Sequence, residues 1–526
     1  MCGLAHQGFL LSRPMPDEAE PGTPEFWAVQ RPDAVAVIHG DERLTYAEWD
    51  DRANRVADSL ARLGLGAGDR LGMRFRLRFE WFVIQRALQK LGVAQVAVNW
   101  RLTADEAIYI IEDSGAKGLA CNDADASPWG HHDLGLLVTV GQPEGSAGVR
   151  YEDLLASGDP TPRFGPLRPN LVLYTSGTTG APKGVPPLDL TGADFERLAR
   201  YGASVGGVPR HPSEAMVLMT LPVHHGAGAA AATGACASGG TAVLLDPYDP
   251  EEALRLIDKH KVQMWISVPT MLLRIQSLPS DVVDRYDLSS IEALTVGAAP
   301  VPQSLKQWIV DRMGPVLWEG YGTSESGMIS YMPPEHQLTK PGSSGIPYDG
   351  VEVAIVDEDW NRLPVGETGE IAANTPVVLR GYLGREPLGD DVLRDGFYRT
   401  GDVGHVDEDG FLFITDRIKD MIVAGGVNIY PAEIEKALVA HPDVEDAAVI
   451  GIPEADFGEQ ALAFIVTRAG RTLTTDDLLT FLDGRLASYK KPRQFEFVDH
   501  LPVSPMGKVL KTELRAPYWK GRERSV

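Results

Sequence analysis

Cysteine, positive charge and long uninterrupted apolar runs are all scarce in this sequence. Its 526 residues include three cysteines, Cys2, Cys121 and Cys236. An odd count without metal-ligand spacing argues against a disulfide framework and favours buried or incidental thiols. Lysine and arginine number 49 against 73 acidic residues, which gives a formal net charge of -24. We therefore expect no nucleic-acid partner and no general affinity for anionic membranes, and a polyanionic ligand would need a few locally placed cations.

The sequence also lacks a convincing signal peptide or membrane span. Residues 1–25 have neither a basic start nor a long apolar core, and we interpret them as a flexible leader. The uncharged stretch 215–245 contains Pro222, two histidines and many glycines, so it predicts a buried strand, a turn and a small-residue helix rather than a spanning helix. We expect a cytoplasmic protein.

The length of the chain exceeds what one hydrophobic core supports. Strand–helix alternation continues to about residue 300, which predicts an α/β fold with a largely parallel sheet. Short strands with Gly and Asp turns follow, and a compact unit of helices and strands begins near Arg417. The expected architecture is a large N-terminal domain of α/β subdomains (26–416) with a β-rich subdomain (345–414), a hinge (417–420), and a small mobile α+β C-terminal domain (421–526).

The most informative segment is LYTSGTTGAPKGV at residues 173–185. Its glycines permit positive φ and close ligand approach, while hydroxyls, successive N–H groups and Lys183 suit phosphate oxygens. It is not a P-loop, because no Ser or Thr follows the lysine and Pro186 and Pro187 prevent an immediate helix. The composition favours a triphosphate cradle over a flexible surface loop. The candidate ligands before the lysine are Thr175, Ser176, Gly177, Thr178, Thr179 and Gly180.

This loop resembles the phosphate loop of the adenylate-forming superfamily, which comprises acyl-CoA synthetases, luciferases and the adenylation domains of peptide synthetases. Further motifs of that family follow in the family order, and the resemblance spans roughly residues 44 to 511. These further motifs are LPVHHGAG (221–228), VGAAP (296–300), WEGYGTSESG (318–327), YRTGD (398–402), TDRIKD (415–420), VAGGVNIYPAEIE (423–435) and LPVSPMGKVLK (501–511).

The resemblance implies an ATP site. By it, Tyr321 stacks on adenine, Glu319 lies near the exocyclic amine, Asp402 accepts hydrogen bonds from the ribose hydroxyls, and Arg417 contacts ribose and phosphate. The other residues that it assigns to ATP are Gly297, Ala298, Ala299, Gly320, Gly322 and Ser324, the last replacing the usual threonine. Glu325 would hold Mg²⁺ together with Thr175, a pairing that suits a hard cation when phosphate supplies further oxygens.

The resemblance also implies two half-reactions served by a rotating C-terminal domain. Lys508 would be the catalytic lysine that bridges carboxylate and α-phosphate. His225 would gate the acyl pocket, with a satisfied buried histidine as the alternative. Gly425 and Gly426 would open the tunnel for CoA, with a simple turn as the alternative, and Lys419 would be the hinge residue.

The leading functional hypothesis is an AMP-forming acyl-CoA ligase that uses ATP, Mg²⁺ and CoA on a small-molecule acid. Gly322 suggests a roomier pocket for a medium, long or aromatic acid, because acetate-using relatives carry a large aromatic residue there. A second hypothesis keeps the adenylation chemistry with another acid or acceptor: a separate carrier-protein thiol, an amine, or an inorganic acid such as nitrite. A third is a non-enzymatic nucleotide-binding scaffold. The sequence leaves the acid, the acceptor and the oligomeric state open.

Overall fold

The computed structural model describes residues 19–124, 126–141, 148–166, 170–175, 181–188, 194–207, 213–424, 427–454, 458–504 and 508–520. Its helices are α1 Pro24–Gln30, α2 Tyr46–Arg62, α3 Phe79–Leu91, α4 Ala104–Ser114, α5 Tyr151–Ser157, α6 Phe195–Gly207, α7 Gly226–Ala237, α8 Pro250–His260, α9 Pro269–Gln276, α10 Ser280–Val283, α11 Gln303–Met313, α12 Pro431–Val439, α13 Thr475–Leu482 and α14 Lys511–Trp519. Short 3₁₀ turns lie at Ser127–His131, Pro334–His336, Ile418–Asp420 and Ser488–Lys490.

The first sheet, called here the N-terminal sheet, has the strand order β7-β6-β5-β3-β4-β8-β9. Its pairings are parallel except for the last, in which β9 returns antiparallel to β8. Local sequence signals delimit its helices: Thr103 and Glu106 form a capping box at the start of α4, and Gly115 ends that helix in the left-handed conformation. The strands are β3 Arg70–Arg74, β4 Ala94–Ala97, β5 Gly118–Cys121, β6 Leu136–Thr139, β7 Val149–Arg150, β8 Leu171–Thr175 and β9 Lys183–Val185.

The second sheet, the large sheet, runs β17-β18-β20-β21-β16-β15-β14-β13-β12-β10-β11-β1-β2, with β19 beside β20. Strands β1, β11, β10, β12, β13 and β14 pair in parallel, and pairing is antiparallel from β14 to β17. The β-rich segment therefore continues the same sheet. The strands are β1 Val35–His39, β2 Glu42–Thr45, β10 Met216–Met219, β11 Thr241–Leu244, β12 Met264–Ser267, β13 Ala293–Gly297, β14 Leu317–Thr323, β15 Gly327–Met332, β16 Ser343–Pro347, β17 Glu352–Val356, β18 Gly369–Asn374, β19 Leu393–Arg394, β20 Phe397–Val406 and β21 Leu412–Arg417.

A third sheet forms the C-terminal unit and has its own core. The order is β23-β22-β25-β24, with β26 parallel to β25. Ile434, Leu438 and Leu478 from α12 and α13 pack on this sheet and are fully buried. The change from the large sheet to this one falls between Arg417 and Ile422. The strands are β22 Ile422–Ala424, β23 Val427–Ile429, β24 Val444–Glu454, β25 Gly458–Thr467 and β26 Gln494–Phe497.

These features confirm the expected α/β fold with a large N-terminal domain and a separate small one. The expected end of the leader is wrong, however. Helix α1 begins at Pro24, and the Glu25 carboxylate is 3% exposed and accepts a hydrogen bond from Arg86 Nε at 3.0 Å. A charge buried with its partner belongs to packed structure, so the packed chain begins before residue 26.

Two further expectations can be checked against the fold. The stretch 215–245 forms β10, α7 and β11, as its glycines, proline and histidines suggested, and no helix in the described part of the chain is long and apolar enough to cross a membrane. Cys121 and Cys236 are buried free thiols, which agrees with the interpretation of the cysteines as buried small residues. Cys2 lies outside the described residues.

Candidate active site

The phosphate loop leaves the end of a parallel strand. Strand β8 ends at Thr175, and β9 returns beside it with Thr175 opposite Lys183. The strand register therefore brings the hydroxyl and the ammonium of the predicted cradle to the same edge of the N-terminal sheet. Residues 176–180, which hold Ser176, Gly177, Thr178, Thr179 and Gly180, lie outside the described part of the chain.

The segments assigned to adenine lie at the carboxyl ends of neighbouring parallel strands, where open α/β sheets bind ligands. Gly297 at the end of β13 pairs with Gly320 in β14. Ala298 follows with φ +69°, a left-handed conformation that costs a non-glycine residue free energy and recurs at functional sites. Ala299 and the exposed Ser324 complete the two segments at this edge.

The backbone of the β14–β15 hairpin also favours glycine at position 322, independently of the size of the acid pocket. A Cβ atom there would lie 2.3 Å from the Gly327 carbonyl oxygen and 2.8 Å from Met328 Cα, in the β14–β15 hairpin. The pairing register also shifts between Tyr321 and Gly322. In this hairpin, close backbone approach is thus a second reason for glycine at this position, besides the size of the acid pocket.

Asp402 is the centre of a polar cluster on strands β14, β20 and β21. Its side chain is buried, one carboxylate oxygen accepts a hydrogen bond from the Tyr321 hydroxyl at 2.7 Å, and the other pairs with Arg417 Nε at 2.8 Å. Burial and the nearby Asp402 charge raise the pKa of Tyr321 well above its ordinary value, so the phenol is a donor at any working pH. Each carboxylate oxygen retains acceptor capacity, which ribose hydroxyls could use.

Glu319 has a partner that the sequence did not reveal. Lys306 on α11 donates to its carboxylate, and the Lys306 side chain is only 2% exposed. Burial raises the pKa of Glu319, while the Lys306 charge and hydrogen bonds from Lys306 and Gln337 oppose that rise. Lys306 occupies an unremarkable position in an amphipathic helix, and only the tertiary structure brings it to Glu319.

Glu325 is the predicted metal ligand. It is half-buried in the turn between β14 and β15, and one oxygen accepts a hydrogen bond from the Tyr382 hydroxyl at 3.2 Å. No described lysine or arginine forms an ion pair with it, and no cluster of three metal-ligating side chains occurs among the described residues. One carboxylate without a cation partner fits Mg²⁺, which takes few protein ligands when phosphate oxygens supply the rest.

His225 precedes α7 and lies beside a second buried imidazole, His224, with ring centroids 4.5 Å apart. Desolvation, with a smaller contribution from Arg101, lowers the pKa of His225 to about 4, and desolvation lowers that of His224 to about 3. Both rings are therefore neutral near pH 7. His225 Nε2 and both nitrogens of His224 have no hydrogen-bond partner in the described residues, so these nitrogens could still bind a ligand. His224 was missed because adjacency to a motif histidine is not a recognisable signal.

Lys508 reaches the same region from the C-terminal unit. Desolvation, followed by the charges of Arg417 and Lys419, lowers the pKa of its ammonium to about 8, while Asp402 and Asp420 oppose the shift. The residue nevertheless keeps part of its surface open to solvent, so its neighbours enclose it only in part. No described acid lies within ion-pairing distance of it, because the nearby carboxylates pair elsewhere.

The residues predicted to form the hinge and the CoA tunnel lie in and shortly after the turn Ile418–Asp420. Lys419 lies in that 3₁₀ turn, immediately after β21 of the large sheet. Asp416 in β21 accepts a hydrogen bond from the Ala432 N–H at the start of α12, at 2.8 Å, so this carboxylate links the two sides of the turn. Gly425 and Gly426 lie outside the described residues.

Comparison with known proteins decides the family. The model of the AMP-binding enzymes matches residues 25–383, and the model of their C-terminal domain matches residues 433–508. The chain belongs to the AMP-binding enzymes of the adenylate-forming superfamily. It is an AMP-forming acid–thiol ligase of the acyl-CoA synthetase type, a class that uses ATP with Mg²⁺ and CoA.

Three relatives illustrate the similarity of this AMP-binding enzyme. It is 36% identical to a feruloyl-CoA synthase from Amycolatopsis sp, over 93% of this chain and 98% of the relative. It is 34% identical to the fatty acid–[acyl-carrier-protein] ligase ScoC from Streptomyces coeruleorubidus, over 96% and 97% of the two chains. Among solved structures, o-succinylbenzoate CoA synthetase from Bacillus subtilis in complex with its acyl-adenylate intermediate is 28% identical, with a TM-score of 0.80 over 94% and 98%.

Proposed function

We propose that this enzyme activates an aromatic carboxylic acid of the hydroxycinnamate type with ATP and transfers the acyl group to the thiol of CoA. The observation that carries the proposal is the convergence of charged groups from two units of the chain: Asp402 pairs with Arg417 on the large sheet, and Lys508 of the C-terminal unit lies near enough for both charges to act on its ammonium. The similarity to a feruloyl-CoA synthase over almost the whole chain supports the acid class.

In the first half-reaction a carboxylate oxygen of the acid attacks the α-phosphorus of ATP. The bond to the pyrophosphate oxygen breaks, and an acyl-adenylate forms. Negative charge gathers on the phosphoryl oxygens, so positioned cations supply the stabilisation. We assign this task to Lys508 and Lys183. Asp402 and Tyr321 hold the nucleoside.

In the second half-reaction the CoA sulfur attacks the acyl carbon and AMP leaves with the bonding electron pair. We propose that the C-terminal unit turns about Lys419 between the two steps, with Gly425 and Gly426 beside the entering pantetheine. The domain boundaries at 416 and 421 and the tunnel assignment are part of this proposal. The position of the Ile418–Asp420 turn supports the rotation, because the chain passes there from the large sheet to the sheet of the C-terminal unit.

We assign Mg²⁺ to Glu325 and Thr175. The ion supplies charge neutralisation on the triphosphate when bound. Glu325 suits it because its carboxylate has a phenol donor and no described cation partner. His225 is placed beside the acid carboxylate, where a neutral imidazole adds no charge but can donate one hydrogen bond.

A carrier-protein thiol is the second candidate acceptor. The similarity to ScoC covers 96% of this chain, as much as the similarity to the CoA-using relative. The adenylation machinery is common to both outcomes. A separate carrier would meet the acyl-adenylate in place of CoA.

The test measures pyrophosphate release and the acyl product across a panel of acids, with CoA, with a phosphopantetheinylated carrier protein, and with neither. Ferulate, a succinylated benzoate, a long-chain fatty acid and acetate form a suitable panel. We expect pyrophosphate with the aromatic acids and a CoA thioester as product. Turnover with the carrier alone would move the acceptor to the second candidate. Cleavage of ATP to ADP and phosphate would contradict the adenylation chemistry.

A further inference from the structure

Tyr382 contacts two of the residues assigned to ATP, and they come from different sheets. Its hydroxyl donates to Glu325 Oε1 at 3.2 Å. The Lys183 ammonium lies over its ring, 5.2 Å from the ring centroid. Lys183 begins β9 of the N-terminal sheet, whereas Glu325 lies in the β14–β15 turn of the large sheet. One side chain therefore touches both the predicted phosphate cation and the predicted metal ligand.

The segment that carries Tyr382 is fixed on both sides. The Leu379 N–H donates to the Glu325 carbonyl at 2.6 Å, and the Leu383 N–H donates to the Gly184 carbonyl at 2.8 Å. Arg385 adds an ion pair to Asp113. These bonds hold residues 379–385 across the two sheets, so the Tyr382 ring has little freedom to leave its position.

The phenol is suited to act as a permanent donor. A tyrosine hydroxyl carries a proton near neutral pH, so it can donate to the Glu325 carboxylate. A donor that occupies one oxygen of a carboxylate fixes the rotation of the group and leaves the other oxygen for a metal.

We propose that Tyr382 is a positioning residue for Mg²⁺ and the phosphates of ATP. Its hydroxyl orients the Glu325 carboxylate, and its ring face holds the Lys183 ammonium in place. The inference rests on the assignment of Glu325 to Mg²⁺ in the proposed function. Residues that orient metal ligands change metal affinity or activity by about 10- to 100-fold when they are removed. Contact with an aromatic face stabilises a cation by a smaller amount.

Two variants separate the two contacts. Tyr382→Phe removes the hydroxyl and keeps the ring, whereas Tyr382→Leu removes both. The probe is Mn²⁺ titrated into full-length enzyme with an α,β-methylene analogue of ATP and followed by electron paramagnetic resonance, so that no turnover is needed. We expect the dissociation constant of Mn²⁺ to rise at least about tenfold in Tyr382→Phe, with nucleotide affinity at saturating Mn²⁺ unchanged. Tyr382→Leu should in addition weaken the nucleotide about two- to fivefold.

Tyr286→Phe is the matched control. The Tyr286 hydroxyl also donates to a glutamate, Glu251, at 3.0 Å, but this pair is exposed and lies outside the site. It should leave Mn²⁺ binding unchanged. Glu325→Gln tests the underlying assignment: unchanged Mn²⁺ binding in Glu325→Gln would remove Glu325 as a metal ligand and the proposal with it. Weakened binding in Glu325→Gln together with normal binding in Tyr382→Phe would overturn the role of Tyr382 alone.

Discussion

The two sides of the candidate site are built differently. On the large sheet each predicted ligand already has a partner: Asp402 has Tyr321 and Arg417, and Glu319 has Lys306. On the C-terminal unit Lys508 is exposed and has no described acid within ion-pairing distance. The first arrangement suits a preorganised nucleotide cradle, which need not rearrange when ligand binds. The second suits a charge that one domain brings to the reaction and then withdraws.

The contrast predicts that a substitution in the nucleotide cradle of the large sheet lowers the free energy of unfolding. Lys306→Met leaves the Glu319 carboxylate buried without its cation, which costs about 3–5 kcal/mol of unfolding free energy at neutral pH. With Lys306 gone, the largest opposition to the rise in the pKa of Glu319 is removed, so the loss should shrink as the pH falls and the carboxyl is protonated. Thermal or denaturant unfolding of the variant at pH 7 and at pH 5 checks both points. The double variant Lys306→Met/Glu319→Leu is the control, because it removes the buried charge altogether and should regain most of the loss. Wild-type stability in Lys306→Met would show that the cradle does not depend on this pair.

A substitution at Lys508 in the C-terminal unit should instead reduce activity without reducing stability. Lys508→Ala removes one positioned cation, and we expect a loss of about 10²–10³-fold in adenylation. Since Lys508 has no ion-pair partner among the described residues, its removal breaks no salt bridge, so the unfolding midpoint should not move, and ATP binding should stay near wild type. ATP–pyrophosphate exchange measures the loss, and thiolysis of supplied acyl-adenylate should survive. Lys511→Ala is the comparison variant, because Lys511 belongs to the same motif but its ammonium pairs with Glu435. Normal exchange in Lys508→Ala would refute the assignment.

Motifs that lie on consecutive residues were readable from the sequence, and side-chain partnerships were not. The strand–loop–lysine pattern around Lys183 and the YRTGD aspartate fix backbone geometry and residue type locally. Lys306 and Tyr382, in contrast, reach the site only through packing of α11 and of the segment after β18. The close approach of the Gly327 carbonyl to Gly322 across a hairpin was hidden for the same reason. The α/β fold of the first 300 residues followed from strand–helix alternation, whereas the fusion of the β-rich segment into the large sheet depended on strand pairing that no local signal encodes.

The two sides should also respond differently to pH. In the proposed function Lys508 acts as an ammonium, and its pKa is lowered to about 8, chiefly by desolvation. Above pH 8 most of the Lys508 side chains have lost their proton and their charge. Adenylation should therefore fall about tenfold for each pH unit above 8. The pH profile of ATP–pyrophosphate exchange measures this fall. Lys508→Arg should shift the fall to higher pH, because a guanidinium stays charged there. The same fall in Lys508→Arg as in wild type would assign it to another group.

The smallest expected effect concerns the histidines. Burial lowers the pKa of His225 to about 4 and that of His224 to about 3, so neither ring changes charge between pH 6 and pH 7. The rate of adenylation should therefore be flat across that interval, even though two imidazoles adjoin the site. Profiles of wild type, His225→Gln and His224→Gln, recorded by pyrophosphate exchange, are the measurement. Glutamine keeps hydrogen-bonding capacity without a titratable proton, so each variant should shift the height of the profile and not its shape. A rise in rate with an apparent pKa near 6.5 that vanishes in His225→Gln would mean that this ring is solvated and charged in the working enzyme, and the contrast between a fixed cradle and a titrating C-terminal lysine would fail.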